Sequence, residues 1–95
     1  MAGVAERMRE KLRAAFAPEA LEIIDESARH EGHAGWREGG ETHFRIRLVS
    51  ARFAGVGRLG RQRMVNRVLA EELGGPVHAL AMELRAPGED APGKE

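Results

Sequence analysis

The stretch that decides the fold is 43–50, which reads HFRIRLVS. Its apolar side chains occupy every second position: Phe44, Ile46 and Leu48. Arg45 and Arg47 stand between them. Successive side chains of a β-strand point to opposite faces, so this period of two predicts a strand with one buried face and one exposed, basic face. His43 falls on the basic side and is expected to point to solvent or to an acidic neighbour.

A second strand is predicted just before this stretch. Residues 21–27 alternate in a similar way, and the β-branched pair in their middle favours a strand that ends at about residue 27. If the two strands pair antiparallel, Glu22 and Glu26 can face the two arginines of the basic strand. Cross-strand charge pairs of this kind help to fix the register.

Apolar residues at helical spacing predict two helices. The first stripe consists of Val4, Met8, Leu12, Ala15 and Phe16. Pro18 ends that helix. The second stripe consists of Leu59, Met64, Val65, Val68, Leu69 and Leu73. Gly74, Gly75 and Pro76 follow it and form a helix stop.

A third strand is predicted over 77–84, with His78 on the same side as Leu80, Met82 and Leu84. The order of elements is therefore αββ(α)αβ, an α+β fold with a three-stranded mixed sheet and helices packed on one face. A chain of 95 residues holds one such domain. We assign it to 1–87 and expect a disordered tail over 88–95, which is rich in Pro, Gly and charged residues.

Composition excludes several classes of function. The 15 basic and 15 acidic residues give no net charge, which argues against binding nucleic acid or membrane through bulk electrostatics. There is no cysteine, so the chain by itself offers no disulfide, thiolate nucleophile or thiolate metal site. Neither a signal peptide nor a span of membrane length is recognised, and the expected location is the cytoplasm.

Histidines are the residues most suited to chemistry, since no nucleophile motif is present. His30 and His33 lie in a glycine-rich segment, 28–41, that predicts an exposed loop, and imidazole is a ligand for iron, zinc and copper. Spacing alone, however, favours the alternative that both are solvated polar residues of the loop. His78 stands where an apolar residue is the usual choice, which indicates either a ligand or a histidine at the edge of the core.

A second candidate surface is the basic part of the second helix. It carries four arginines: Arg58, Arg61, Arg63 and Arg67. The string at 57–60, GRLG, matches the GxxG of KH nucleic-acid modules. Two glycines at this spacing also occur by chance, and arginines often form a solvated helix face.

Taken in order, several strings of this sequence resemble the BolA-like protein family over about residues 5–87. The matching strings are Glu26-Ser27 with His30, Gly40-Glu41-Thr42-His43-Phe44, Val49-Ser50, Phe53 with Gly55, Arg61 and Arg63 with Val65, 69–73, and Val77-His78-Ala79-Leu80. The resemblance implies a fold similar to class II KH domains. This sequence departs from the family pattern in two places. It has Gln62 where the family commonly has histidine, and its loop is longer than in some members and contains Trp36.

The resemblance also implies a function. BolA-like proteins pair with monothiol glutaredoxins, and the pair holds a two-iron two-sulfur cluster with glutathione supplying part of the ligation. The implied ligands of this chain are His78 and one loop histidine, His30 or His33, with no cofactor in the isolated chain. The interpretation is an adaptor in iron-sulfur assembly, trafficking or iron sensing, with no enzyme activity and no small-molecule substrate. The alternative is a DNA-binding transcriptional regulator that uses the helix at 58–73.

Overall fold

A computed structural model of the chain describes residues 3–27 and 40–89. In these two ranges the elements in chain order are α1 (Val4–Phe16), β1 (Ala20–Asp25), β2 (His43–Val49), a 3-10 helix (Ala51–Phe53), α2 (Arg58–Val68), α3 (Ala70–Leu73) and β3 (Ala79–Arg85). This is the predicted α+β order. The loop positions 28–39 and the tail positions 90–95 lie outside the described residues.

Helix α1 forms where the apolar stripe predicts it. Its buried residues recur every four positions: Val4, Met8, Leu12 and Phe16. The helix ends because Ala17 adopts a left-handed conformation, with φ 44°, and donates its backbone N–H to Arg13 O. Pro18 follows directly and cannot continue the helix.

The three strands form one mixed sheet in the order β1-β2-β3. Strands β1 and β2 are antiparallel, whereas β2 and β3 are parallel, so α2 lies in the crossover between them. The predicted charge pairs are confirmed: Arg45 Nε lies 3.0 Å from Glu26 Oε2, and Arg47 Nη1 lies 3.3 Å from Glu22 Oε1. Glu83 of β3 pairs with both arginines, at 3.5 and 3.3 Å.

The inner face of the sheet meets the helices in one core. Its fully buried large side chains include Phe44, Ile46 and Leu48 from β2, Met8 and Leu12 from α1, and Phe53 from the 3-10 helix. Phe53 packs against Phe16 with a ring separation of 5.0 Å. In the described part of the chain, no helix has the length and apolar character needed to cross a bilayer.

Several predicted boundaries are corrected by the structure. Strand β1 ends at Asp25 rather than near residue 27, and β3 begins at Ala79, so His78 precedes it. The second helical stretch is divided at Leu69 into α2 and α3. Leu59 was predicted in the apolar stripe, but it is 59% exposed.

Candidate functional site

His78 lies at the corner of the sheet where β3 begins. Its backbone N–H donates to Thr42 O at 2.7 Å, and the N–H of Ala79 donates to the same oxygen at 3.2 Å. The residue itself is exposed. The side chain is therefore accessible, on a backbone that its bonds to Thr42 hold in place.

A buried polar cluster, formed by Ser27, Thr42 and His43, adjoins His78. The Ser27 hydroxyl accepts the N–H of Thr42 at 2.9 Å and that of His43 at 3.2 Å. All three residues are at most 4% exposed. The cluster therefore ties the end of the β1 segment to the start of β2 and, through Thr42 O, to His78.

Asp25, the last residue of β1, adds two hydrogen bonds beside this cluster. Its carboxylate accepts the N–H of Ser27 at 2.9 Å and the N–H of Glu41 at 3.0 Å. Partial burial alone would raise the pKa of Asp25, but these hydrogen bonds outweigh it and hold the pKa below its usual value of 3.8. The carboxylate thus remains an acceptor that joins Ser27 to Glu41.

His43 is not directed to solvent, which corrects the prediction from the alternating pattern. It is 4% exposed, and its ring centroid lies 5.4 Å from that of His78 with an interplanar angle of 52°. Its Nδ1 lies 2.9 Å from Thr42 Oγ1. The alternating pattern placed His43 with Arg45 and Arg47, whereas its contact with His78 arises from the parallel pairing of β2 with β3.

The other two predicted ligands, His30 and His33, lie outside the described residues. In the described ranges, the structure shows no group of three or more His, Asp or Glu side chains that could hold a metal ion. His78 and His43 are the two imidazoles that the structure brings together.

Arg61 is occupied by contacts within the chain. Its guanidinium donates to Val56 O at 2.7 Å and to Leu84 O at 3.1 Å, and it lies 5.7 Å from the ring centroid of Phe53. Its Nη1 donates to Glu89 Oε1 at 2.7 Å, and its Nη2 donates to Glu89 Oε2 at 2.8 Å. The bonds from Arg61, together with the N–H of Ala86, lower the pKa of Glu89 to about 2. Arg61 therefore fastens the chain after β3 to α2.

The remaining three arginines of the predicted basic surface are exposed. Arg63 and Arg67 are four positions apart and share a helix face, whereas Arg58 lies on a different face of α2.

Arg58 and Arg61 line a groove of about 790 Å³ beside the end of β3. At about 3.3 Å per residue, Ala79 and Leu84 of β3 are about 16 Å apart. The structure thus separates the histidine corner from the groove that Arg58 and Arg61 line.

We expect Arg61→Ala to lower the free energy of unfolding by about 1–3 kcal/mol, because two backbone carbonyls lose their donor beneath a side chain that is 12% exposed. Arg63→Ala, at an exposed position of the same helix, should change it by less than about 0.5 kcal/mol. Urea denaturation of the two variants measures the difference. Equal stabilities would show that the Arg61 contacts contribute nothing.

The comparisons with known proteins agree with this architecture. The sequence model of the BolA-like protein family matches residues 12–89. The DNA-binding transcriptional regulator BolA of Escherichia coli is 53% identical over 79 residues, which cover 83% of this chain and 71% of that protein. BolA-like protein 1 of Homo sapiens is 52% identical over 82 residues, or 86% of this chain, but these span only 57% of the human protein.

Solved structures show the same fold. BolA1 from Arabidopsis thaliana superposes with a TM-score of 0.83 at 38% identity, covering 95% of this chain and 99% of the plant chain. The three-stranded mixed sheet with its helices is confirmed, while the likeness to class II KH domains stays a prediction. With a family match over most of the chain and relatives at about half identity, the chain belongs to the BolA-like protein family.

Proposed function

We propose that this chain is an adaptor that pairs with a monothiol glutaredoxin and supplies histidine ligands to a shared two-iron two-sulfur cluster. The observation that carries the proposal is the position of His78. Its imidazole is exposed, and its backbone is bonded to Thr42 at the corner where both ends of the histidine-bearing segment are tied. Such a ligand needs little ordering when a partner binds.

The donor set of the chain fits a shared cluster. Iron-sulfur clusters are usually held by four thiolates, and two histidines replace two of them in some two-iron clusters. This chain has no cysteine, so the thiolates would come from a glutaredoxin cysteine and from glutathione. When bound, the cluster supplies a redox centre and an iron-sulfur unit that can be passed on. The role of this chain is to hold His78, and a loop histidine, toward the partner.

The loop ligand is supported by chain connectivity. A residue three positions beyond Ser27 can be at most about 11 Å from it, because an extended chain spans no more than about 3.6 Å per residue. Ser27 and His78 each bond to Thr42. His30 is thus kept within reach of the same corner. His33 lies six positions beyond Ser27, so its tether from Ser27 is twice as long, and it stays the second candidate.

Co-expression with a monothiol glutaredoxin of the same host tests the proposal. The copurified pair should show the visible absorption and circular dichroism of a two-iron two-sulfur cluster, and these should differ from those of the glutaredoxin alone. The isolated chain should show none. A glutaredoxin that copurifies without this chain, or whose spectrum is unchanged by it, would contradict the adaptor role.

DNA binding is the second candidate, and it rests on the exposed arginines of α2. The Escherichia coli relative is named a DNA-binding transcriptional regulator. In this chain Arg63 and Arg67 form a cationic pair on one helix face, suited to phosphate oxygens. Arg61 is engaged with Glu89 and two carbonyls, so phosphate binding there would have to displace Glu89.

If this face binds DNA, the double variant Arg63→Ala/Arg67→Ala should weaken binding and reduce the slope of log affinity against log salt by about two, one for each lost phosphate contact. Arg13→Ala, an exposed arginine of α1, is the matched control. Fluorescence anisotropy over a salt series measures the slopes. A slope that matches the wild type in the double variant would exclude this face.

A further inference from the structure

The groove between the end of β3 and the start of α2 combines apolar side chains with an excess of positive charge. Val56, Met82 and Leu84 are half-buried residues of its lining. Its charged lining residues are four arginines and two glutamates: Arg45, Arg58, Arg61, Arg85, Glu83 and Glu89. The groove thus carries a formal charge of +2, although the whole chain is neutral. Such a lining suits a ligand that is both apolar and acidic.

The uncovered edge of β3 faces this groove. In residues 3–27 and 40–89 the strand order is β1-β2-β3, so β3 is an edge strand. Arg85 O accepts the N–H of Ser50, directly after β2, at 2.9 Å. Because backbone groups of successive strand residues alternate in direction, those of Met82 and Leu84 point away from β2. Leu84 O does so, since it accepts Arg61 Nη1 at 3.1 Å. The N–H and C=O of Met82 are therefore directed to an edge that can pair with another strand.

Arg61 provides a prepared site for a carboxylate in this groove. Its Nε donates to Val56 O at 2.7 Å and its Nη1 to Leu84 O, so two backbone carbonyls set the orientation of the guanidinium. Nη1 and Nη2 then bind both oxygens of the Glu89 carboxylate. This two-point contact is the geometry in which arginine binds carboxylates most strongly. The position of the Arg61 fork thus does not depend on Glu89 itself.

Glu89 is a carboxylate that an external ligand can replace. It is exposed and lies at the end of a short turn, in which its N–H donates to Ala86 O at 3.1 Å and Gly88 has φ 89°. Its removal from Arg61 therefore opens no part of the core. Arg58 is also exposed, and it has no ion-pair partner within 3–27 and 40–89. A second carboxylate can bind there.

We propose that this groove binds an extended acidic segment of a partner protein, which pairs with the edge of β3 and places a carboxylate on Arg61 at the position that Glu89 occupies. In strand addition, main-chain hydrogen bonds provide affinity and alternate side chains provide specificity. Acidic side chains of the segment meet Arg58 and Arg61, and apolar ones meet Val56 and Met82. The apolar lining and the strand edge favour a peptide over a nucleic acid, which would need only the cations.

The probe is a short fluorescent peptide in which Glu and Val alternate, and fluorescence anisotropy measures its binding to the full chain. Binding should weaken with salt and disappear when Gln replaces each Glu of the peptide. Arg58→Ala should weaken binding about two- to fivefold, the range of an exposed ion pair. Arg13→Ala, an exposed arginine outside the groove, should not change it. A peptide that binds neither the wild type nor Glu89→Gln overturns the proposal.

Glu89→Gln tests whether the chain's own carboxylate competes for Arg61. The variant should bind the peptide about threefold or more tightly, because only chains with an open Arg61 fork are competent to bind at that position. Glu71→Gln removes the same charge from an exposed residue outside the groove and should match the wild type. Equal affinities of Glu89→Gln and Glu71→Gln would show that Glu89 does not compete and that Arg61 is not the anchor.

Amide hydrogen exchange tests the strand pairing. The peptide should slow exchange at Met82 and Leu84, whose N–H groups face the groove, and not at Ala81 and Glu83, which face β2. A bound peptide that leaves Met82 unchanged contradicts strand addition. An oligothymidylate that displaces the peptide and binds more tightly would assign the groove to nucleic acid. Self-association of the chain that protects Met82 without peptide would assign it to a second copy. Each of these last two results also overturns the proposal.

Discussion

Replacing His78 by Ala is expected to abolish the native spectrum of the cluster shared with glutaredoxin while the chain stays folded. The position is exposed and precedes β3, so the substitution removes a donor atom without opening a cavity in the core. Its backbone bond to Thr42 is made by the N–H group, which alanine retains. Visible circular dichroism of the copurified complex measures the loss, and far-ultraviolet circular dichroism of the isolated variant checks the fold.

His78→Cys is the informative partner of this variant. It keeps a donor at the same place but changes its kind from imidazole to thiolate, so the complex should retain a cluster with a shifted spectrum. A folded His78→Ala chain whose complex keeps the wild-type spectrum would rule out His78 as a ligand. His30→Ala and His33→Ala should each act more weakly, because two nearby histidines can replace each other, and the double variant should act more strongly than either.

Local patterns predicted most of the fold. The period of two placed β2 within 43–50, and the charges at 22 and 26 predicted the pairs with Arg45 and Arg47 that the register confirms. These features depend on neighbours along a strand, or on a pairing that charge complementarity already favours. The ends of β1 and β3 were less well predicted, because the bonds that end a strand involve residues far away in the sequence.

The site was predictable only in part for the same reason. His78 was singled out because it interrupts an apolar pattern, which is a local signal. The neighbouring position of His43 arises from the parallel pairing of β2 with β3, in which His43 stands opposite Ala79. The role of Arg61 was not predictable for the same reason. Its partners Val56, Leu84 and Glu89 lie outside α2, so the pattern of arginines along the helix did not show that Arg61 has a structural role.

Leu59 was misplaced because apolar character alone does not define a helix face. At 100° per residue, Leu59 lies about 120° around α2 from the buried Val65, so it cannot share the face that Val65, Val68 and Leu69 present to the core. Phe53, by contrast, belongs to a short 3-10 helix with no periodic signal, yet it is fully buried. Phe53 and Leu59 are both large apolar residues, one buried and one exposed, so alanine variants of the two compare how much burial contributes to stability.

Phe53→Ala is expected to lower the free energy of unfolding by about 3–5 kcal/mol, the range for a fully buried aromatic side chain. Its ring contacts Phe16 of α1 at 5.0 Å and Arg61 of α2 at 5.7 Å, so its removal leaves a cavity where both helices meet the sheet. Leu59→Ala removes a comparable side chain that is 59% exposed, and should change stability by less than about 0.5 kcal/mol. Urea denaturation of the isolated chains compares the two. A loss below 1 kcal/mol in Phe53→Ala, or a loss in Leu59→Ala as large as that in Phe53→Ala, would contradict the core described above.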